Sequence, residues 1–308
     1  MKITVIGAGG VGGYYGGLLA RTGHEVHFVA RGAHLEAIRA SGLEVKSTFG
    51  DFIIKPAHAT DNPADCGQAD LILFCTKTYG TDEAARQILP ILSSTTTILS
   101  LQNGIEASDR IGRILGFEHM LPGTTWLSAA IEAPGIIRHS SNARRVVMGE
   151  PDGTVTARLQ AVHDAFQQAG ITTEISTDIR AVLWTKLVFI AAAAGFGSLT
   201  GLPMAAYRQV PETRGLITDL MREIAAVAAA QGIALESDVV GNSLAFMDKA
   251  GPSIKASMQL DVEARRQTEL ESLIGVIGRL GRERGVLTPV ADMIYGCLLP
   301  ADLMARAR

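Results

Sequence analysis

The 308-residue chain is 47% hydrophobic and 19% charged, which supplies enough apolar material for two domains with separate cores. A net charge of −3 with no Lys/Arg-rich block excludes the basic field that draws nucleic acid. Cys66, Cys75 and Cys297 are too few and too scattered for a disulfide framework or a metal-ligand spacing, which points to a reducing compartment, the cytoplasm, and to no metal site.

The apolar start carries no basic segment and no small-residue cleavage site, so it reads as a first strand rather than a leader. That strand, residues 2–7, ends in Gly7-Ala8-Gly9-Gly10-Val11-Gly12 and is followed by a helical segment through Ala20. GxGxxG is weak evidence in a chain with 33 glycines, but between a strand and a helix it is the dinucleotide-binding arrangement. The first glycine permits the turn, the second lets backbone approach a pyrophosphate, and the third lets helix and strand pack, with the helix N-terminus facing the phosphates. A second strand, Glu25 to Ala30, ends at Arg31, where an NAD enzyme places an acidic residue for the ribose 2′-hydroxyl. A guanidinium there suits a 2′-phosphate and hence NADP; the competing reading is a solvated surface arginine.

Two further strands, Asp70 to Cys75 and Thr96 to Leu101, stop at Thr76-Lys77 and at Gln102-Asn103-Gly104. Ligands of a doubly wound sheet lie outside the carboxyl ends of its strands, which puts Thr76, Lys77 and Asn103 at the cofactor crevice. Asn-Gly is also ordinary turn chemistry, and only its position favours the crevice. Short strand-like pieces at Thr124 to Ala130, Ile136 to His139 and Arg145 to Met148 read as antiparallel additions to the sheet edge. An amphipathic helix over 154–169 and a last strand over 171–175 complete a first domain ending near Ser176.

Beyond Asp178, a plausible N-cap, the pattern is helical, with helices expected at about 178–196, 212–231, 236–249, 261–285 and 289–298. The uncharged run Leu187 to Tyr207 is long enough to span a membrane, but Gly195, Gly197, Gly201 and Pro203 break it, and a packed interior helix explains it better. Lys186 is the only charged residue between Arg180 and Arg208. An ammonium in a helix fit for burial needs a partner, an exit to water or a chemical role; partial desolvation lowers its pKa and suits it to deliver a proton, whereas a lysine that snorkels outward does none of this. Glu269 and Glu271 flank Leu270 and cannot both point the same way, so one should face inward, although a solvated surface glutamate remains the plainer reading of either.

These segments in this order resemble the ketopantoate reductase (2-dehydropantoate 2-reductase) family over nearly the whole chain. The matching pieces are residues 2–9 with Gly12, Arg31, Thr76-Lys77, Gln102-Asn103-Gly104, Leu183-Trp184-Thr185-Lys186-Leu187, and the run from Ala256-Ser257-Met258-Gln259-Leu260-Asp261 to Thr268-Glu269. The resemblance implies an α/β Rossmann-type N-terminal domain, residues 1–176, that binds NADP (NADPH), and an all-α C-terminal domain, residues 177–308, of the 6-phosphogluconate dehydrogenase C-terminal-like kind. It implies a place in pantothenate biosynthesis, a small-molecule keto acid as partner, room for a homodimer, and neither nucleic acid nor membrane. By the same resemblance Arg31 and Lys77 bind the 2′-phosphate end, Asn103 lies by nicotinamide and substrate, Lys186 is the general acid, and Ser257 and Glu269 contact the substrate's carboxylate and hydroxyl ends.

Three positions depart from the family pattern. Ile190, Ala194 and Ile274 stand where the family typically has asparagines, and Lys186, Ile190 and Ala194 share one helix face. The expected reaction is reduction of a 2-keto acid to a 2-hydroxy acid, of ketopantoate or of a more apolar relative. The rival readings are a reductase of another carbonyl or imine on the same fold, and an NADPH-binding sensor without catalysis.

Overall fold

The computed structural model describes residues 1–307, which form two compact units: residues 1–102 with 106–179, and residues 103–105 with 180–307. The chain therefore leaves the first unit at Gln102, lends three residues to the second and returns at Glu106.

The first unit contains twelve strands: β1 (Lys2–Ile6), β2 (Glu25–Val29), β3 (Leu43–Ser47), β4 (Phe52–Ile54), β5 (His58–Thr60), β6 (Leu71–Phe74), β7 (Thr97–Ser100), β8 (Met120–Trp126), β9 (Ala129–Ala133), β10 (Ile136–His139), β11 (Arg145–Met148) and β12 (Thr172–Ile175). The main sheet runs β12-β11-β8-β7-β6-β1-β2-β5 and is parallel throughout except where β11 pairs antiparallel with β8. The strand order reverses between β1 and β6, which makes their carboxyl ends the topological switch point of a doubly wound sheet. Strands β6 and β7 are buried at every position, as parallel strands covered on both faces must be.

Of the pieces expected to extend the sheet edge, β11 and the Thr124–Trp126 end of β8 do so, paired antiparallel with each other. The Thr124 to Ala130 segment is divided between β8 and β9, and β9 and β10 join a second sheet, β4-β3-β10-β9, in which β10 pairs parallel with β3. The Gly10–Arg21 helix lies between the two sheets. A Cβ on Gly12 or Gly16 would run into Val5 or Phe28 of the main sheet, and one on Gly13 or Gly17 would crowd Ile137 or Phe52 of the second. Four glycines on two helix faces thus let one helix pack closely on both sides, at a cost of roughly 0.5–1 kcal/mol each relative to alanine.

The second unit is helical. Its longest helix, Ile179–Thr200, is long and apolar enough to cross a membrane, yet Trp184, Leu187, Val188 and the Ala191–Ala194 run are buried in the unit's core. The helices Pro211–Ala230, Val239–Asp248 and Pro289–Arg306 surround that core, the last extending well past 298 through Pro300. The single helix expected over 261–285 is instead two. Ser257–Glu263 stops, Arg265 takes a left-handed φ of 54°, and a π-helical segment Glu271–Gly275 leads into Val276–Arg284. The break is stabilised locally by Arg266, which donates from Nε and Nη2 to Asp261, and by Thr268, whose hydroxyl accepts from the Leu270 N–H as an N-cap does.

Candidate active site

In the first unit, the loop after β1 is built around Gly7, whose φ of 93° only glycine adopts without strain and whose Cβ would lie 2.9 Å from the Thr76 backbone nitrogen. Gly12 sits so close beneath that a Cβ there would lie 2.2 Å from the Gly7 carbonyl oxygen, while a Cβ on Gly9 would meet nothing within 4 Å. Turn, open approach and tight packing thus fall on Gly7, Gly9 and Gly12 respectively. The N–H groups of Gly7 and Ala8 both donate to the Val29 carbonyl, which ties the loop to the end of β2. Gly10 and Val11 open the following helix, which has no acidic residue in its first turn to compete with an anion. This open, uncompensated helix N-terminus at the switch point fits the pyrophosphate of a dinucleotide.

Arg31 follows β2 and is exposed; its Nη2 donates at 3.2 Å to Glu83 Oε1 and at 3.2 Å to Gln87 Oε1. Thr76 and Lys77 follow β6, and Gln102 clamps that turn by donating to the Thr76 carbonyl at 2.9 Å and to Thr81 Oγ1 at 2.9 Å. His34 was passed over in the sequence, yet its Nε2 donates to the Ala8 carbonyl at 2.9 Å and its Nδ1 accepts from the Gly135 N–H at 3.0 Å. A neutral imidazole with the proton on Nε2 satisfies both bonds, and burial pushes the His34 pKa below its ordinary value.

In the second unit, three of the residues singled out from sequence form one hydrogen-bonded chain. Lys186 Nζ donates to Asn103 Oδ1 at 2.9 Å, and Asn103 Nδ2 donates at 3.4 Å to Glu269 Oε2. The amide orientation follows from chemistry, since an ammonium has only hydrogens to offer and a carboxylate only lone pairs. Glu269 is 4% exposed, whereas Glu271 is exposed and accepts from the Tyr295 hydroxyl. Lys186 retains partial exposure, but the surrounding protein pushes its pKa down to about 8, with the Glu269 carboxylate pulling in the opposite direction. Gly104 permits this meeting: its φ is 86° and a Cβ would lie 2.9 Å from the Ser272 carbonyl of the π-helical segment.

Ile190, one turn beyond Lys186, is partly buried, and Ala194 and Ile274 are fully buried. Ser257 stands outside the chain of hydrogen bonds, exposed at the first position of its helix. Among the described residues no group of His, Cys, Asp or Glu is arranged to hold a metal ion.

A doubly wound domain with a glycine loop at its switch point, joined in one chain to a helical unit carrying a lysine–amide–carboxylate chain, defines a nicotinamide-dependent oxidoreductase. Family models described as "Ketopantoate reductase PanE/ApbA" and "Ketopantoate reductase PanE/ApbA C terminal" match residues 3–153 and 178–301. A 2-dehydropantoate 2-reductase of Mesorhizobium japonicum is 30% identical over 96% of this chain and 95% of its own. Among solved structures, the 2-dehydropantoate 2-reductase of Geobacter metallireducens superposes with a TM-score of 0.93 at 31% identity, covering 98% of this chain and all of that one. A PanE/ApbA family ketopantoate reductase of Ralstonia eutropha JMP134 gives 0.92 at 30% identity, covering 99% and 100%. The chain belongs to the ketopantoate reductase family and is an oxidoreductase acting on CH–OH groups of a small-molecule keto-acid/hydroxy-acid pair.

Proposed function

We infer that the protein uses NADPH to reduce a 2-keto acid to the 2-hydroxy acid, acting in the cytoplasm on ketopantoate or a more apolar relative, with Lys186 as the general acid. The observation that carries this reading is the Lys186–Asn103–Glu269 chain, because it supplies a proton donor of suitable pKa, an orienting amide and a buried counter-charge. With a pKa of about 8, Lys186 is mostly an ammonium at neutral pH, yet it yields its proton far more readily than an ordinary lysine.

The bound cofactor supplies the hydride and its electron pair. In this reading the Gly7–Gly12 loop holds the pyrophosphate, with Thr76 lining the same turn, and Arg31 and Lys77 take the 2′-phosphate. As the carbonyl carbon is reduced, negative charge grows on its oxygen, and Lys186 Nζ moves a proton to that oxygen. Asn103 orients the carbonyl: its 3.4 Å bond to Glu269 is long for an N–H···O bond, so a substrate oxygen can take over that donor with little loss. Glu269 keeps the ammonium protonated and accepts from the product hydroxyl, and Ser257 offers a hydroxyl to the substrate carboxylate.

Ile190, Ala194 and Ile274 favour a substrate more apolar than ketopantoate, since an apolar side chain cannot hydrogen-bond a substrate hydroxyl, and of the three Ile190 alone retains exposure beside Lys186. The test is NADPH oxidation by the purified protein with ketopantoate beside a panel of bulkier, more apolar 2-keto acids, with an NADH control. Turnover of a 2-keto acid with preference for NADPH supports the reading; NADPH binding without turnover of any keto acid overturns it.

A further inference from the structure

The geometry assigns to Asp302, near the C-terminus, the role of positioning Glu269 through Thr268. This rests on the reading of Glu269 given above and names a residue outside the Lys186–Asn103–Glu269 chain.

Asp302 is a carboxylate whose side chain is only 2% exposed, on the helix Pro289–Arg306. Its two oxygens serve different partners. Oδ1 accepts from the Thr268 backbone N–H at 2.7 Å and from the Thr268 hydroxyl at 2.7 Å, whereas Oδ2 accepts from Arg306 Nε at 2.7 Å and pairs with its Nη2 at 2.6 Å. The Thr268 hydroxyl, its hydrogen committed to Asp302, accepts in turn from the Leu270 N–H at 3.2 Å. The backbone nitrogens on either side of Glu269 are therefore both held by one buried anchor.

That anchor lies where the backbone has least support of its own. The segment follows the break at Arg265 and precedes the π-helical turn Glu271–Gly275, a single-turn interruption of the α-helical ladder. The Glu269 carbonyl accepts from the Leu273 N–H at 3.0 Å, but nothing in the helix itself fixes the N–H groups of its first turn. Without Asp302, Thr268 loses its acceptor, the first turn is free to unwind, and the Glu269 carboxylate is no longer held 3.4 Å from the Asn103 amide. Asp302 acts on Glu269 through Thr268, so it is a positioning residue and not a catalytic one.

The division of labour between the two oxygens makes the role testable. Asp302→Ala removes both Thr268 bonds, Asp302→Asn made in the Arg306→Ala background keeps an Oδ1 acceptor for them without turning its amide N–H onto a guanidinium, Thr268→Val removes the hydroxyl alone, Thr268→Ser retains it, and Arg306→Ala removes the other partner. Full-length variants are compared by circular dichroism, NADPH affinity by fluorescence, and kcat against pH on the best keto acid found for the wild type. Expected are a fall in kcat of about tenfold or more for Asp302→Ala and Thr268→Val. NADPH affinity should stay within about twofold of wild type, since the loop that binds it is in the other unit. The fall in kcat with rising pH should move to lower pH in these two, because Lys186 loses part of the charge that holds its proton. Asp302→Asn in the Arg306→Ala background and Thr268→Ser should recover most of the loss, and Arg306→Ala should track wild type. Wild-type kcat and pH profile in Asp302→Ala or Thr268→Val overturns the proposal, as does an Asp302→Asn, in the Arg306→Ala background, as impaired as Asp302→Ala. If Asp302→Ala does not fold, Thr268→Val against Thr268→Ser decides. Glu269→Gln separates the two levels: if it too behaves as wild type, the reading of Glu269 itself has failed; if it is crippled while Thr268→Val is not, only the positioning role has.

Discussion

Lys186 Nζ and Asn103 Oδ1 lie 2.9 Å apart although 83 positions separate them in the chain. Asn103 reaches the helical unit because residues 103–105 leave the first unit, and Lys186 meets it there as the single charged group of an otherwise apolar helix stretch. In the proposed mechanism this pairing ties the acid to the residue that orients the substrate, so each should fail in its own way when changed.

Replacing Lys186 by Ala should lower kcat by about 10²–10⁴-fold, the usual contribution of a positioned general acid. NADPH affinity, read by fluorescence titration, should change by less than about twofold, as expected for a binding loop in the other unit. Equal loss of both would remove Lys186 from its assigned role.

The pH dependence has a definite sign. With Lys186 as the proposed acid, reduction draws on the ammonium form, so kcat should be level below neutrality and fall as pH rises through about 8. Stability runs the other way: with the folded pKa depressed from 10.5 to about 8, the desolvation cost is fully present below 8 and is relieved as pH rises from there toward 10.5. The difference in Tm between wild type and Lys186→Met, measured from pH 7 to pH 10, should therefore move in favour of wild type.

Cofactor choice should depend on Glu83 as well as Arg31. The Glu83 carboxylate already occupies the Arg31 guanidinium, though both side chains are about two-thirds exposed, so the pair is weak. Arg31→Ala should reduce kcat/KM with NADPH by about tenfold or more while scarcely altering that with NADH. Glu83→Gln should raise NADPH affinity by about two- to fivefold, the scale of one exposed ion pair. A Glu83→Gln enzyme with unchanged NADPH affinity would show that the two do not compete.

His34 should make cofactor binding acid-sensitive. Protonation makes Nδ1 a donor facing the Gly135 N–H, so that bond is lost and the two N–H groups push the ring from its place, although Nε2 can still donate to the Ala8 carbonyl. NADPH affinity should weaken as pH falls below about 6.5, toward the lowered pKa of this imidazole, and His34→Gln should flatten that dependence.

Substrate choice should respond at Ile190. Ile190→Asn places an amide one turn from Lys186 at a partly buried position, and should shift the ratio of kcat/KM for hydroxylated over unsubstituted 2-keto acids by about tenfold or more. An unchanged ratio would place Ile190 outside the substrate pocket.

The main sheet was legible because its strands are short apolar runs ending at glycine, arginine or amide residues, and the loop Gly7–Gly12 carries its geometry in local sequence. The second sheet was not, because β3 and β10 pair across about ninety residues and neither announces its partner. The same limit applies to the helix break near Arg265, after which Thr268 is held by Asp302, thirty-four residues further on. Sequence by itself determined the fold class, the strand–glycine loop–helix arrangement and the identity of the candidate acid, since these rest on periodicity, turn chemistry and one isolated charge in an apolar helix. Only the tertiary structure decided that Glu269 and not Glu271 turns inward, that His34 braces the glycine loop, that Glu83 confronts Arg31, and that Asp302 accepts from both the N–H and the hydroxyl of Thr268 beside Glu269. Each of those is a contact between groups distant in the chain, and the cost of burying a polar atom is settled by the partner it finds, not by its neighbours in sequence.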